Sequence, residues 1–457
     1  MERLTALDLM AIWPEERGWS DDIGALAILD GGGLLDGEGR FPIEAVRERI
    51  GRRLHLVPRF RQLLYRPRRG LGWPLWVDAP TVDLAAHVGV LPLEAPADAW
   101  QLLLACEELR RRRLCFSRPL WAMTFLPGLP DGRVGLFIKV HHAIADGMSG
   151  IATLAAFVDA VPDPPQMEAP PWTPAAMPTT RALLDDNLRR GVAKAGRGLA
   201  ALAHPATTIG NLRRALPALR EAFTEDRAPR TSLNAHPIGW HRGFGLVRGD
   251  LGVAKRIAHQ HGATVNDVLM SVLAGGLRGL LLGRGERVEG VVLRAAVPVS
   301  LHGRQPGRAQ GNLDGMMVVP LPVGVPDDSR RLRWIAAQTA RRREKVRPQG
   351  GMLFRNATIQ RAFLRLMARQ RFVNTYAANV PGPTVPLYFA GAAILELFPV
   401  VPIQGNVAVG IGALSYAGQL NVTAVADRDL VPDLEVFVEG MRRSLQALQR
   451  DVVVASR

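Results

Sequence analysis

The chain has 457 residues, of which 47% are hydrophobic and 22% are charged, so its composition is that of an ordinary globular protein and excludes an intrinsically disordered one. Its length predicts two or three domains. The formal net charge of +15 indicates an acidic partner, and the lack of a zinc-finger spacing, an RNP-like strand or a helix-turn-helix unit argues against nucleic acid.

The first residues and the two cysteines bear on the compartment. Residues 1–5 show no basic region followed by an apolar stretch, so we expect no secretory signal and a cytoplasmic protein. The longest apolar passages fall short of the roughly 20 residues that span a bilayer, so we expect no transmembrane helix. Cys106 and Cys115 are too few for a disulfide framework and lack zinc-ligand spacing, and both are expected to be reduced and buried.

The most informative segment follows a predicted strand over residues 133–140, which is rich in β-branched residues and begins after a turn. Two adjacent histidines, His141 and His142, come directly after it, and a helix is predicted over 148–160. Adjacent side chains at a strand end point to opposite faces, so one imidazole does the chemistry, as a general base. Asp146 either orients that ring or pairs with an arginine, and Gly147 permits the turn into the helix.

A proline-rich stretch over 162–178 is typical of a linker, and the segment after it is basic. Residues 181–224 contain eight basic and three acidic side chains, interleaved with leucines at helical spacing. They predict one or two amphipathic helices, which either bind a membrane surface or connect domains and pack on the protein itself.

The remainder of the chain mixes helices and strands. Helical spacing covers 253–261, 265–282 and 330–345, a buried strand is predicted over 291–299, and short apolar segments after residue 383 suggest further strands. This order favours an α/β protein built on mixed sheets.

The pattern His-His-x-x-x-Asp-Gly after a strand resembles the signature of the CoA-dependent acyltransferase superfamily, which includes chloramphenicol acetyltransferase and peptide-synthetase condensation domains. Further blocks resemble the bacterial wax ester synthase/diacylglycerol acyltransferases, nearly from end to end: residues 118–121, 266–267, 293–300, 379–383 and 386–391. The sequence departs from the family pattern at residues 115–118, which are Cys-Phe-Ser-Arg in place of Asp-Arg-Ser-Arg, and at Ala378 in place of a serine.

The resemblance implies an α/β fold of two chloramphenicol-acetyltransferase-like mixed-sheet domains with an active-site tunnel between them. It divides the chain into an N-terminal acyltransferase domain at 1–161, a linker with basic helices at 162–236, and a C-terminal acyltransferase-like domain at 237–457.

The resemblance also implies the roles of individual residues. His142 is the expected general base and His141 its supporting partner, while Asp146 organises the loop and faces Arg294. Gly147 supports the turn, and Asn266 is expected to orient the acceptor or stabilise the oxyanion. No metal and no bound cofactor are expected, with acyl-CoA as a co-substrate.

The implied reaction is transfer of a fatty acyl group from acyl-CoA to diacylglycerol, with long-chain alcohols as second acceptors. An anionic membrane or lipid-droplet surface is the expected peripheral partner. Two alternatives stay open: an acyltransferase for another hydroxylated or carrier-bound acceptor, as condensation domains are, and a lipid-droplet-binding protein without turnover.

Overall fold

Mixed β-sheets organise the part of the chain that the computed structural model describes, which is residues 2–4, 6–144, 154–165, 167–203, 227–300, 314–343 and 357–455. The strands are β1 Glu2–Arg3, β2 Asp22–Leu29, β3 Gln62–Tyr65, β4 Leu75–Asp78, β5 Val88–Val90, β6 Trp121–Pro127, β7 Val134–His141, β8 Val158–Asp159, β9 Arg242–Asp250, β10 Leu293–Ser300, β11 Asp314–Leu321, β12 Thr375–Pro381, β13 Tyr388–Phe389, β14 Ala392–Val400, β15 Val409–Tyr416 and β16 Gln419–Asp427.

The helices pack on the faces of these sheets. They are α1 Ala6–Ile12, α2 Ile43–Arg53, α3 Ala99–Arg111, α4 Thr180–Ala203, α5 Leu251–Gln260, α6 Val265–Gly283, α7 Asp328–Arg343, α8 Ala357–Met367 and α9 Leu434–Ala455.

Two large sheets define two lobes. In the described residues, the N-terminal sheet has the order β5-β6-β7-β2-β14-β13-β8 and the C-terminal sheet the order β11-β10-β12-β15-β16-β9. A small third sheet, β1-β4-β3, lies beside the first lobe's elements. The predicted α/β fold with two mixed-sheet domains is therefore confirmed.

The N-terminal sheet includes two strands from late in the chain. β14 pairs antiparallel with β2, and β13 joins β14 to β8, so residues 388–400 belong to the N-terminal sheet. Residues of the predicted C-terminal domain at 237–457 thus complete the N-terminal sheet, and the domain bounds themselves stay a prediction. The physical reason is that β7 pairs with only one edge of β2. The distant β14 forms main-chain hydrogen bonds with the other edge.

Helix α6 forms the centre of the C-terminal lobe. Thr264 and Asp267 close its N-terminus in a capping box, and the helix packs against α9. A Cβ atom at Gly276 would lie 2.5 Å from Met441, so glycine permits the close approach. α6 is long and apolar enough to cross a bilayer, but 67% of its apolar window is buried inside the protein, as in a core helix.

Helix α3 connects the two lobes. Glu107 accepts a hydrogen bond from the backbone N–H of Phe244 at 3.2 Å, and the Phe244 ring packs against Phe137 of β7 at 6.2 Å. Arg113, just after the helix, places its guanidinium 3.6 Å from the centre of the Trp240 ring. These contacts fix β7 relative to the second lobe.

Most of the predicted elements are confirmed, including the strand that becomes β7 and the helices that become α5, α6 and α7. The helix predicted over 148–160 is wrong at its end, because Val158–Asp159 is strand β8. There the Asp159 carboxylate binds Arg49 and Arg53, at 3.0 and 2.6 Å. Residues 145–153 lie outside the described residues.

Candidate active site

The tandem histidine stands at the end of β7, against the beginning of β2. Antiparallel pairing places Asp22 opposite His141, so Asp21 lies beside His142. The backbone N–H of His141 donates to the Leu120 carbonyl at 3.0 Å, and that of His142 donates to the Asp21 carbonyl at 3.1 Å. The sheet register thus sets both rings against carboxylates from another part of the chain.

His142 is the accessible member of the pair. Its side chain is 50% exposed, and its Nδ1 atom lies 3.6 Å from Oδ2 of Asp21. Burial raises the pKa of the Asp21 carboxyl, whereas the neighbouring histidines and a hydrogen bond from the Gln404 amide oppose the rise. Gln404 belongs to the C-terminal lobe, so both lobes contribute to the surroundings of His142.

His141 is fully buried and held from both sides of its ring. Its Nδ1 accepts a hydrogen bond from the Ala143 N–H at 3.1 Å, which places the neutral ring's proton on Nε2. Nε2 lies 3.3 Å from Oε1 of Glu15. Burial lowers the pKa of His141, but Glu15 with the nearby Asp22 and Asp21 outweighs it, so the net pKa is raised. A ring with no exposed surface presents neither nitrogen to a substrate.

Two buried cations, Arg110 and Lys139, interact with the carboxylates beside the histidines. Arg110 of α3 is buried, its pKa is lowered by burial, and none of its guanidinium nitrogens hydrogen bonds to a described residue. Lys139 donates to the carbonyls of Leu109 and Arg112, and burial lowers its pKa to about 8. Their charges face Asp22, so the carboxylates beside the histidines sit in a positive local field.

None of the other predicted site residues is seen in contact with the histidines in the described part of the chain. Asp146 and Gly147 lie outside the described residues. Arg294, on β10, donates from Nε to the Phe372 carbonyl at 3.0 Å, and its pairing with Asp146 stays a prediction. Asn266 lies half-buried in the first turn of α6, and among the described residues no hydrogen bond or ion pair joins it to either histidine. The predicted tunnel also stays a prediction.

Sequence reasoning missed Asp21, Glu15 and Gln404. Asp21 and Asp22 stand at the start of a strand, which is a weak signal, and only the pairing of β2 with β7 brings them to the histidines. The sequence also led us to expect a buried Cys115, which is exposed. It lies after α3 between Leu114 and Phe116, whose side chains pack against the core instead.

Residues 4–269 match the wax ester synthase/diacylglycerol acyltransferase catalytic domain, and residues 310–449 match the WS/DGAT C-terminal domain. A Mycobacterium tuberculosis protein named as a probable diacylglycerol O-acyltransferase is 31% identical over 468 residues, covering 100% of this chain and 97% of the relative. The wax ester synthase/diacylglycerol acyltransferase from Marinobacter aquaeolei VT8 is similar in structure, with a TM-score of 0.70, 23% identity, and coverage of 98% of this chain and 99% of that chain.

A second solved structure shares the fold more distantly. The starter condensation domain of rhizomide synthetase, in complex with C8-CoA, has a TM-score of 0.57 and 14% identity, and the match covers 99% of this chain and 95% of that chain. At this identity the likeness supports the two-lobed architecture alone.

Proposed function

Because this chain belongs to the wax ester synthase/diacylglycerol acyltransferase family, we propose that it transfers a fatty acyl group from an acyl-CoA thioester to the hydroxyl of diacylglycerol, with His142 as the general base. One observation carries the assignment of the base. Of the two adjacent imidazoles, His142 is half-exposed beside a buried carboxylate, whereas His141 is fully buried, with its Nδ1 bonded to the Ala143 N–H and its Nε2 facing Glu15.

Asp21 supports the general-base role through the tautomer of His142. A carboxylate near Nδ1 favours the proton on that nitrogen and leaves the Nε2 lone pair to accept a proton. The same carboxylate stabilises the imidazolium that forms during the reaction. Gln404 holds Asp21 from the other lobe, so the orientation of His142 depends on how the lobes are joined.

The reaction then proceeds in two proton movements. Nε2 of His142 removes the hydroxyl proton as the acceptor oxygen forms a bond to the thioester carbonyl carbon. The tetrahedral oxyanion collapses, the carbon–sulfur bond breaks, and the imidazolium returns its proton to the sulfur of CoA. His141 supports the turn that presents His142. We assign Asp146 and Gly147 to the loop after β7, Arg294 of β10 as the partner of Asp146, and Asn266 as a further polar group.

Product analysis tests this proposal directly. Purified protein receives one fatty acyl-CoA, with diacylglycerol and hexadecanol offered together, and CoA release is followed while the lipid products are separated. We expect triacylglycerol as the main product, with a smaller amount of wax ester. Absence of CoA release with either acceptor would contradict the acyltransferase, and reaction only from a carrier-bound acyl group would favour a condensation-type activity.

We also propose that the enzyme works on an anionic membrane or lipid-droplet surface, and helix α4 supplies the supporting observation. Its inner face is fixed to the protein: Asp186 accepts from Arg3 at 2.6 Å, the Asn187 amide donates to the Gly70 carbonyl, and Leu183 packs on β4. The connector interpretation of this segment therefore accounts for one side of the helix.

The outer face of α4 is apolar and solvent-exposed. Leu184, Leu188 and Val192 are 49%, 69% and 66% exposed and follow one another at a spacing of four residues, so they form one stripe. Arg181, Asp185 and Arg189 are exposed on the same helix, so the charge beside the stripe is net positive. An apolar stripe with flanking arginines has the chemistry of a helix that lies in an anionic lipid interface.

A further inference from the structure

A cavity separate from the histidines lies beside strands β6 and β7. Its other walls are the end of α3 and the segment 112–119 that follows the helix. Its volume is about 190 Å³. At roughly 30 Å³ for each water molecule this is space for about six waters, which is enough for a phosphate group. Its wall includes His87, Arg112, Arg113, Cys115, Arg118 and Lys139.

The lining of this cavity, which we call the basic cleft, has one sign of charge. Arginine and lysine side chains line it, and no aspartate or glutamate is among the described residues that do so. Arg118 forms no ion pair with a described residue, and Arg112 has only the exposed Glu108 at 3.5 Å. An unbalanced cluster of this kind, set in a concave wall, attracts an anion.

The cleft is also partly rigid. The Lys139 ammonium is fixed by the carbonyls of Leu109 and Arg112. The His87 ring stacks on Trp121 with centroids 4.4 Å apart, and its Nδ1 contacts the Trp121 carbonyl at 2.8 Å. Arg113 lies flat on Trp240 of the other lobe. Lys139, His87 and Arg113 are therefore held in place before any ligand arrives, which reduces the entropy cost of binding.

We infer that the basic cleft binds the phosphate groups of the CoA thioester. The inference rests on the proposed acyl-CoA-dependent function. Guanidinium groups pair with phosphate oxygens through two parallel N–H donors, which is the geometry that Arg112 and Arg118 offer.

The position of the cleft fits this role. Lys139 and His142 are three residues apart along an extended strand end, which is about 10 Å at roughly 3.3 Å for each residue. Pro119 of the cleft wall precedes Leu120, whose carbonyl accepts from the backbone of His141. Because side chains alternate along a strand, Lys139 shares the face of His141 rather than that of His142. The pantetheine chain that separates the phosphates of CoA from its sulfur is longer than this backbone spacing, so it carries the thioester around the strand end to His142 while the phosphates stay in the cleft.

Cys115 offers a readout that is independent of turnover. It is exposed, lines the cleft, and has its pKa lowered by hydrogen bonds from Ser117 and by the charge of Arg118. Cys106 is buried and its pKa is raised by that burial, so it reacts far more slowly. Alkylation by iodoacetamide therefore reports on occupation of the cleft.

The experiment measures the alkylation rate of Cys115 in the full-length protein with and without 3′,5′-ADP, a soluble probe that carries phosphates of CoA without its thiol. At ten times the Kd we expect about tenfold slower alkylation, because only about one site in eleven is empty. The double variant Arg112→Gln/Arg118→Gln should raise the apparent Kd at least about tenfold, since hydrogen bonds between two charged groups are the strong ones. Each protein is compared with itself, because Arg118 also affects the thiol.

A matched variant, Arg68→Gln/Arg69→Gln, removes two exposed arginines away from the cleft and should keep the parent protection. If 3′,5′-ADP protects Cys115 of the Arg112→Gln/Arg118→Gln variant as well as it protects the parent, the proposed site is overturned. Protection by phosphatidylglycerol vesicles and not by 3′,5′-ADP would overturn the assignment to CoA and transfer the phosphate to a lipid. Acyl-CoA turnover is measured in parallel: turnover without protection overturns the cleft alone, and absence of turnover overturns the proposed function.

Discussion

The Nδ1 atom of His142 faces the buried carboxylate of Asp21 across the junction of two antiparallel strands, at 3.6 Å. The distance is that of an ion pair rather than of a formed hydrogen bond. A small movement of the ring towards Asp21 closes it when Nδ1 carries the proton. Asp21 is therefore a positioning residue for His142, and the two have separable effects on the reaction.

His142→Ala should remove nearly all turnover and leave the fold intact, because a positioned general base commonly contributes roughly 10² to 10⁴ in rate. The side chain is half-exposed, so its loss leaves no buried cavity. Steady-state kinetics and thermal unfolding of the same preparation provide the check. Activity equal to the parent would show that another group takes the proton.

Asp21→Asn should lower kcat/KM by roughly 10- to 100-fold, less than the loss of the base itself. The pKa of Asp21 is raised, so in the parent its orienting charge disappears as the pH falls through a value above that of an ordinary aspartate. The ratio of parent to variant activity should therefore be largest near neutral pH and should decline towards one in acid. A ratio independent of pH would mean that the Asp21 charge is not what orients His142.

Glu15→Gln tests the buried partner of His141. The pKa of His141 is raised in the folded protein, so its contribution to stability is present below about pH 6.5 and is lost as the pH rises through the folded pKa. Removal of the Glu15 charge should therefore reduce the free energy of unfolding more at about pH 5.5 than at about pH 8.5. Urea unfolding at the two pH values measures this difference, and an equal loss at both would show that Glu15 acts without the His141 proton.

The loop prediction concerns a pair whose first member lies outside the described residues. If Asp146 faces Arg294, then Asp146→Asn should lower activity and thermal stability together, because it leaves an arginine without its charge partner. A double-mutant cycle with Arg294→Met should then give a coupling of roughly 0.5–3 kcal/mol. Additive effects would show that the two residues do not interact, and Arg294 would then serve β10 through its contact with Phe372.

The sequence predicted what depends on local patterns. β-Branched residues before the tandem histidine predicted β7, and apolar spacing after Thr264 predicted α6. Asp21 could not be identified in this way, because its role comes from the register between β2 and β7. The pairing of β14 with β2 was missed for the same reason, since the sequence of a strand does not determine which strand it pairs with. Val158 fitted a helical pattern but pairs with Phe389 in the sheet, where tertiary contacts outweigh the local preference.

The last prediction concerns the outer face of α4. Arg181→Gln/Arg189→Gln should weaken binding to phosphatidylglycerol-containing vesicles by about tenfold or more, because each arginine near an anionic surface adds on the order of 1 kcal/mol. The parent's binding should fall as salt rises, since these charges are exposed and therefore screened. Vesicle co-sedimentation over a series of salt concentrations measures both effects.

The apolar stripe gives the second half of that test. Leu184→Gln/Leu188→Gln/Val192→Gln should reduce vesicle binding at high salt as well, where the arginine contribution is already weak, because it removes exposed apolar area that would enter the lipid. Val385→Gln, at another exposed apolar residue, is the matched control and should bind like the parent. Since the stripe faces away from the protein, the triple variant should keep its thermal stability and its turnover on detergent-dispersed substrate. Unchanged sedimentation of the triple variant would assign α4 to structure alone and place the lipid contact elsewhere on the protein.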